Sequence, residues 1–67
     1  MTKKEEIGVL YKQIKNKVEF REECVKKYNV AMNTLINNWF SRYKGYSVPR
    51  DLQDQVIKDL KLKISKQ

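Results

Sequence analysis

The sequence predicts an all-α fold, a small bundle of about four helices that forms a single domain over residues 1–67. Apolar residues recur at steps of three and four along most of the chain, which is the period of an amphipathic helix. Asn29, Gly45 and Pro49 are residues that end or begin helices, and they divide this pattern. A chain of this length buries only about 60% of its unfolded surface, so a second subunit would stabilise it.

The first predicted helix runs from about Lys3 to Lys17. Thr2 followed by Glu5 has the spacing of a capping box, in which the threonine side chain accepts from the Glu5 amide and the glutamate reaches back. The apolar stripe that we expect to be buried consists of Ile7, Leu10, Tyr11, Ile14 and Val18.

A shorter second helix is predicted within residues 18–30. Phe20, Cys24 and Tyr28 align on one face, with Val25 beside them. Asn29 follows the last turn and is a plausible terminator, because asparagine tolerates the left-handed conformation. Cys24 is expected to be a small buried apolar group.

The third predicted helix spans about residues 31–44 and ends at Gly45, a residue typical of the position after a helix. It has two different faces. The apolar face carries Met32, Leu35, Ile36, Trp39, Phe40 and Tyr43, and the opposite face carries Asn33, Thr34, Asn37, Asn38, Ser41 and Lys44.

Pro49 suits the first turn of a fourth helix, which we expect to reach about Ser65. Its buried stripe is predicted to be Leu52, Val56, Ile57, Leu60 and Ile64, with Leu62 pointing away. The tail from Lys61 to Lys66 also alternates, so a short C-terminal strand is the alternative there.

Composition narrows the function classes. The formal charge is +7 and the pI is near 9.7, which favours a polyanionic partner. The chain has one cysteine and no histidine. We therefore expect no disulfide, no metal site and no histidine-based catalysis. The eight carboxylates are predicted on helix exteriors, so we expect no enzyme, no cofactor and no small-molecule ligand. No apolar run has the length of a membrane span, so we expect a cytoplasmic protein without a membrane partner.

The polar face of the third helix is unusual for this chain. Its other exposed faces are rich in lysine and glutamate, whereas this one carries amides and hydroxyls, which form helices less readily. Such side chains hydrogen-bond base edges in a DNA major groove, and asparagine pairs with adenine in bidentate fashion. The alternative explanation is codon usage, because abundant lysine and asparagine are typical of an AT-rich genome.

The second and third helices with the turn at Asn29 have the spacing of a helix-turn-helix. The run ECVKKYNVAMNTLINNWFSRY (residues 23–43) resembles phage and bacterial helix-turn-helix regulators, whose motif commonly reads AKKYGVS-x-x-T-V-x-x-W. Gly45, Pro49 and the apolar residues 52–60 then follow in the order of the Cro/repressor-type group. The resemblance covers about residues 7–60. It implies a DNA-binding transcriptional regulator of a phage or mobile element, acting as a homodimer in the cytoplasm of a bacterial host.

Residue roles follow from this interpretation. Asn33, Thr34 and Asn37 are expected to contact bases of double-stranded DNA. Contacts to the DNA backbone are expected from Lys26, Lys27, Asn38, Ser41, Arg42, Lys44 and Arg50. Two alternatives stay open: a small phage-type adaptor or inhibitor that binds a partner protein, and a helix-turn-helix factor for DNA packaging, excision or replication.

Overall fold

The computed structural model describes residues 2–67 and is built of four helices. Helix α1 is Lys3–Lys12, α2 is Lys17–Tyr28 and α4 is Arg50–Lys66. Helix α3, residues 32–39, begins as an α-helix (Met32–Thr34) and continues as a π-helix (Leu35–Trp39). No strand occurs in this part of the chain. The predicted all-α bundle is confirmed, and the tail from Lys61 to Lys66 is helical rather than a strand.

Helix α1 begins as predicted, because the Thr2 hydroxyl accepts from the Glu5 amide at 3.2 Å. Its predicted end at Lys17 is wrong, since α1 stops five residues earlier. The cause is a second cap: Asn16 accepts from the Glu19 amide at 3.1 Å, and its own amide donates to the Glu19 carboxylate. This is an N-terminal capping pattern that starts α2. Val18 lies in the first turn of α2 and is exposed rather than buried.

Helix α2 ends as predicted. Asn29 adopts the left-handed conformation, with φ 53° and ψ 48°. Phe20 and Cys24 are buried and Tyr28 is half-buried, which agrees with the predicted apolar line.

The predicted extent of the third helix, to Lys44, is wrong. The Phe40 amide donates to the Leu35 carbonyl at 2.9 Å, a bond that closes a π-turn, and the helix ends there. The hydrogen bond of a π-turn spans one residue more than that of an α-turn, and Leu35 and Phe40 at its two ends are both buried. Trp39 and Phe40 therefore both reach the core, while Ile36 becomes exposed. Ser41 is extended, Arg42–Lys44 form a separate 3₁₀ turn, and Tyr43 is exposed instead of buried.

The connection to α4 contains two consecutive left-handed residues, Gly45 (φ 66°) and Tyr46 (φ 54°). Gly45 was predicted to end the third helix, and instead it ends the separate 3₁₀ turn Arg42–Lys44 in a left-handed conformation. Pro49 is the N-cap of α4, one position before the first helical turn. Val48 is buried, and its carbonyl accepts from the buried Gln53 side chain at 3.1 Å.

Aromatic rings join the helices in the core. The rings of Tyr11 from α1 and Phe40 stack in parallel with centroids 4.3 Å apart, and Phe20 from α2 tilts against both. Trp39 packs against Phe40 and against Tyr28. The residues that are buried most completely are Ile7, Ile14, Leu35, Val56 and Leu60.

Ion pairs bind α4 to the first two helices. Lys3 pairs with Asp54 and Lys61 with Glu6, which links α1 to α4. Helix α2 is linked to α4 by Lys63, which lies between Glu19 and Glu23, and by the pair Lys27–Asp59. No helix within residues 2–67 combines the length and the apolar character that crossing a bilayer requires.

Candidate nucleic-acid interface

The outer face of α3 carries amide side chains that are free within the described chain. Asn33 and Asn37 are exposed, and Thr34 and Asn38 are half-buried. No side-chain hydrogen bond among residues 2–67 engages any of the four. Elsewhere most amide side chains are engaged inside the molecule: those of Gln13, Asn16, Gln53, Gln55 and Gln67 make hydrogen bonds, and that of Asn29 at the turn makes none within residues 2–67.

The inner face of α3 is anchored as the helix-turn-helix interpretation requires. Leu35 and Trp39 are buried, and Val30 after the turn is half-buried. Cys24 is a small buried residue of the same core cluster as Leu35 and Trp39. Ala31, at the N-cap of α3, offers no side-chain cap, so the first amides of α3 have no side-chain partner there.

The two lysines at the end of α2 differ in their surroundings. Lys26 is exposed and has no ion pair with any carboxylate of residues 2–67. The Lys27 ammonium lies 2.7 Å from Asp59 on α4 and 5.7 Å from the centroid of the Tyr28 ring. Lys27 is thus already neutralised within the molecule, and a phosphate would have to compete with Asp59 for it. Lys26 has no such competitor.

Of the other predicted backbone contacts, Asn38 lies on α3, and the remaining four lie after it. Ser41 is half-buried in extended chain, and Arg42 and Lys44 are exposed on the 3₁₀ turn. Arg50 is exposed at the start of α4. Ser41 and Lys44 are therefore displaced from the helical face to which the sequence assigned them.

Sequence reasoning missed the distribution of acidic residues around α3. All eight carboxylates lie in residues 5–23 and 51–59, so the 27 residues from Cys24 to Arg50 contain none. Five basic residues in that stretch carry +5 of the net charge of +7. This segment contains the turn at Asn29, all of α3 and the 3₁₀ turn. Counting acidic residues along the chain would have found it.

One carboxylate is less exposed than the sequence indicates. Asp59 is half-buried and accepts hydrogen bonds from the Tyr28 hydroxyl and from Lys27. Burial, followed by the hydrogen bond to Asp59, raises the pKa of Tyr28 above its usual range. Burial, assisted by the charges of Asp59 and Glu23, raises the pKa of the Cys24 thiol to about 12. The Cys24 thiol therefore stays protonated at neutral pH, as a structural residue would.

The chain was compared with protein-family models, with curated proteins and with solved structures, and no match was found.

Proposed function

We propose that the protein binds double-stranded DNA sequence-specifically, with the outer face of α3 in the major groove. This proposal rests on Asn33 and Asn37, whose exposed side-chain amides make no hydrogen bond within residues 2–67. Both lie in a segment that contains no carboxylate. They are four residues apart, so they project along one side of a short helix. Each amide presents a donor and an acceptor together, as the major-groove edge of adenine requires.

The cations around α3 are proposed to contact the DNA phosphates. Lys26, Arg42, Lys44 and Arg50 are exposed, and no carboxylate of residues 2–67 pairs with them. Contacts of this type to phosphates give affinity and orientation but do not read sequence. Four such contacts give a slope of log K against log salt of about −3.6, at about −0.9 for each phosphate neutralised.

The biological role that best suits such a small domain is transcriptional regulation in a phage or mobile element, through a homodimer. The resemblance of residues 23–43 to helix-turn-helix regulators supports it. A dimer of this kind reads two half-sites about 10 base pairs apart. The bound sequence should then be an inverted repeat.

The test is selection of bound duplexes from a random library, followed by gel shifts of the selected and scrambled duplexes at two salt concentrations. We expect the selected duplex to be retained at the higher salt and the scrambled one to be released. Equal affinity for both duplexes, or no binding to either, would overturn the proposal.

A second candidate is an adaptor or inhibitor that binds a partner protein. Two exposed residues favour it, Ile36 at 45% and Tyr43 at 88% accessibility, because exposed apolar and aromatic side chains anchor protein interfaces. Under this alternative the selection yields no preferred duplex. Ile36→Asp would then abolish capture of the partner without affecting the fold.

A further inference from the structure

The 3₁₀ turn that follows α3 presents an aromatic ring to solvent. Tyr43 is 88% accessible, which is far more than any other residue of the apolar pattern. The Arg42 guanidinium carbon lies 5.6 Å from the centroid of the Tyr43 ring, within the range of a cation–π interaction. The guanidinium lies over one side of the ring, and the high accessibility leaves the rest of the ring open to a ligand.

The backbone around Tyr43 is held in place on both sides. The amides of Lys44 and Tyr46 donate to the Ser41 carbonyl at 3.1 and 3.0 Å, and the Ser47 amide donates to the Asn38 carbonyl at 2.9 Å. These bonds tie the turn to the end of α3. The Tyr46 ring also packs against the surface of Gly8 on α1. Tyr43 is therefore an exposed ring on a well-anchored turn rather than a side chain on a loose loop.

The charge around the ring indicates the partner. Arg42 and Lys44 flank Tyr43 directly, and the stretch from Cys24 to Arg50 holds no carboxylate. An aromatic ring between two cations is the arrangement that binds nucleotides, with the base on the ring and the phosphates on the cations. Bases inside an intact duplex are already stacked on both sides, so a ring of this kind needs a base that is unpaired.

We propose that Tyr43 stacks on one unpaired base next to the duplex that α3 holds, so that the preferred ligand is DNA with an extrahelical base or a duplex–single-strand junction. This inference rests on the proposed function, because α3 supplies the adjoining duplex contact. Arg42 stacks on the opposite face of the ring, and Lys44 contacts the neighbouring phosphate. The stacking itself is tolerant of base identity, since every base has an aromatic face.

The test uses the full chain and three DNAs: a matched duplex, the same duplex with one extrahelical 2-aminopurine, and the single strand that contains it. Dissociation constants come from gel shifts, and stacking is followed by quenching of 2-aminopurine fluorescence. The variants are Tyr43→Ala, Tyr43→Phe, which keeps the ring, and Asn37→Ala. Because Tyr43 is so exposed, its variants should retain the wild-type circular dichroism and melting temperature.

We expect the wild type to prefer the extrahelical-base duplex by about 5- to 150-fold, the range that one base–aromatic stack contributes. Tyr43→Ala should lose this preference and the quenching, with matched-duplex affinity unchanged, while Tyr43→Phe keeps both. No preference, or one that survives Tyr43→Ala, overturns the stacking and leaves duplex binding by α3 intact. Binding of single strands alone, dependent on Tyr43, overturns the proposed function and the duplex-junction ligand together. Failure to bind any of the DNAs overturns both.

Discussion

Gly8 and Tyr46 provide a sharp test of how the turn after α3 is held, and substitution of Gly8 by alanine is the perturbation. In an exposed helix this change stabilises the protein by about 1 kcal/mol, through helix propensity. Here a Cβ atom would lie 2.8 Å from Cδ2 and Cζ of the Tyr46 ring. Carbon atoms prefer separations of about 3.5–4.0 Å, so the ring has to move by roughly 1 Å.

The Tyr46 backbone cannot easily follow, because its amide donates to Ser41 and its carbonyl accepts from Val48. Overpacking of this kind costs about 1–3 kcal/mol, so the Gly8→Ala variant should be less stable by about 0–2 kcal/mol. In a Tyr46→Ala background the clash is gone, and Gly8→Ala should instead stabilise by about 1 kcal/mol.

The assay is a double-mutant cycle, measured by urea unfolding followed by circular dichroism. We expect a coupling of about 1–3 kcal/mol, and each kcal/mol shifts the melting temperature of a domain of this size by about 4–8 °C. If Gly8→Ala stabilises the wild type and the Tyr46→Ala variant equally, the packing of Tyr46 on α1 is refuted.

Three further predictions concern the turn at Asn29, the buried thiol and the lysines of α2. Asn29→Gly should leave the free energy of unfolding unchanged or raise it, whereas Asn29→Val should lower it by at least about 1–2 kcal/mol, because φ is 53° there. Equal effects of the two substitutions in thermal melts would contradict the left-handed conformation of residue 29. Cys24 should resist alkylation at pH 8 until the protein unfolds. The thiol pKa of about 12 in the folded state exceeds the ordinary value of 9.0, so the unfolded state loses the thiol proton first. Stability should therefore fall as the pH rises from about 9 to 12, and it should fall by less in Cys24→Ala. A reactive thiol in the native state would disprove the burial of Cys24. Lys26→Ala should weaken binding to selected and random DNA alike and reduce the salt slope by about 0.9. Lys27→Ala, its matched control, should change the slope less because Lys27 pairs with Asp59. Identical slopes for the two variants would count against a phosphate contact by Lys26.

Much of the fold could be predicted from local sequence patterns. The Thr2 cap, the left-handed Asn29 and the apolar stripe of α4 depend on residues close together in the chain, and each prediction of these is confirmed. The break between α1 and α2 could also have been predicted, since Asn16 and Glu19 have the three-residue spacing of a helix N-cap. It was obscured because apolar residues continue through it at helical steps.

The π-turn in α3 was not predictable from periodicity. It depends on two adjacent bulky residues, Trp39 and Phe40, both finding places in a core built by other helices. A regular helix would have buried Ile36 and Tyr43 together with Trp39 and Phe40, and this is why these two residues were wrongly predicted to be buried. The pairing of Lys27 with Asp59 likewise joins residues 32 positions apart, and no local pattern indicates it. The exposure of Asn33 and Asn37 was predicted, and both are exposed although Asn37 lies in the π-helical part of α3.

The central claim is that Asn33 and Asn37 read bases, and the most direct measurement compares wild type, Asn37→Ala and the control Gln13→Ala on a selected and a scrambled duplex. Gln13 is an exposed amide outside α3, so its loss should leave both affinities unchanged. We expect Asn37→Ala to weaken binding to the selected duplex by about 1–3 kcal/mol and binding to the scrambled duplex hardly at all. Equal losses on the two duplexes, or none on either, would contradict the account.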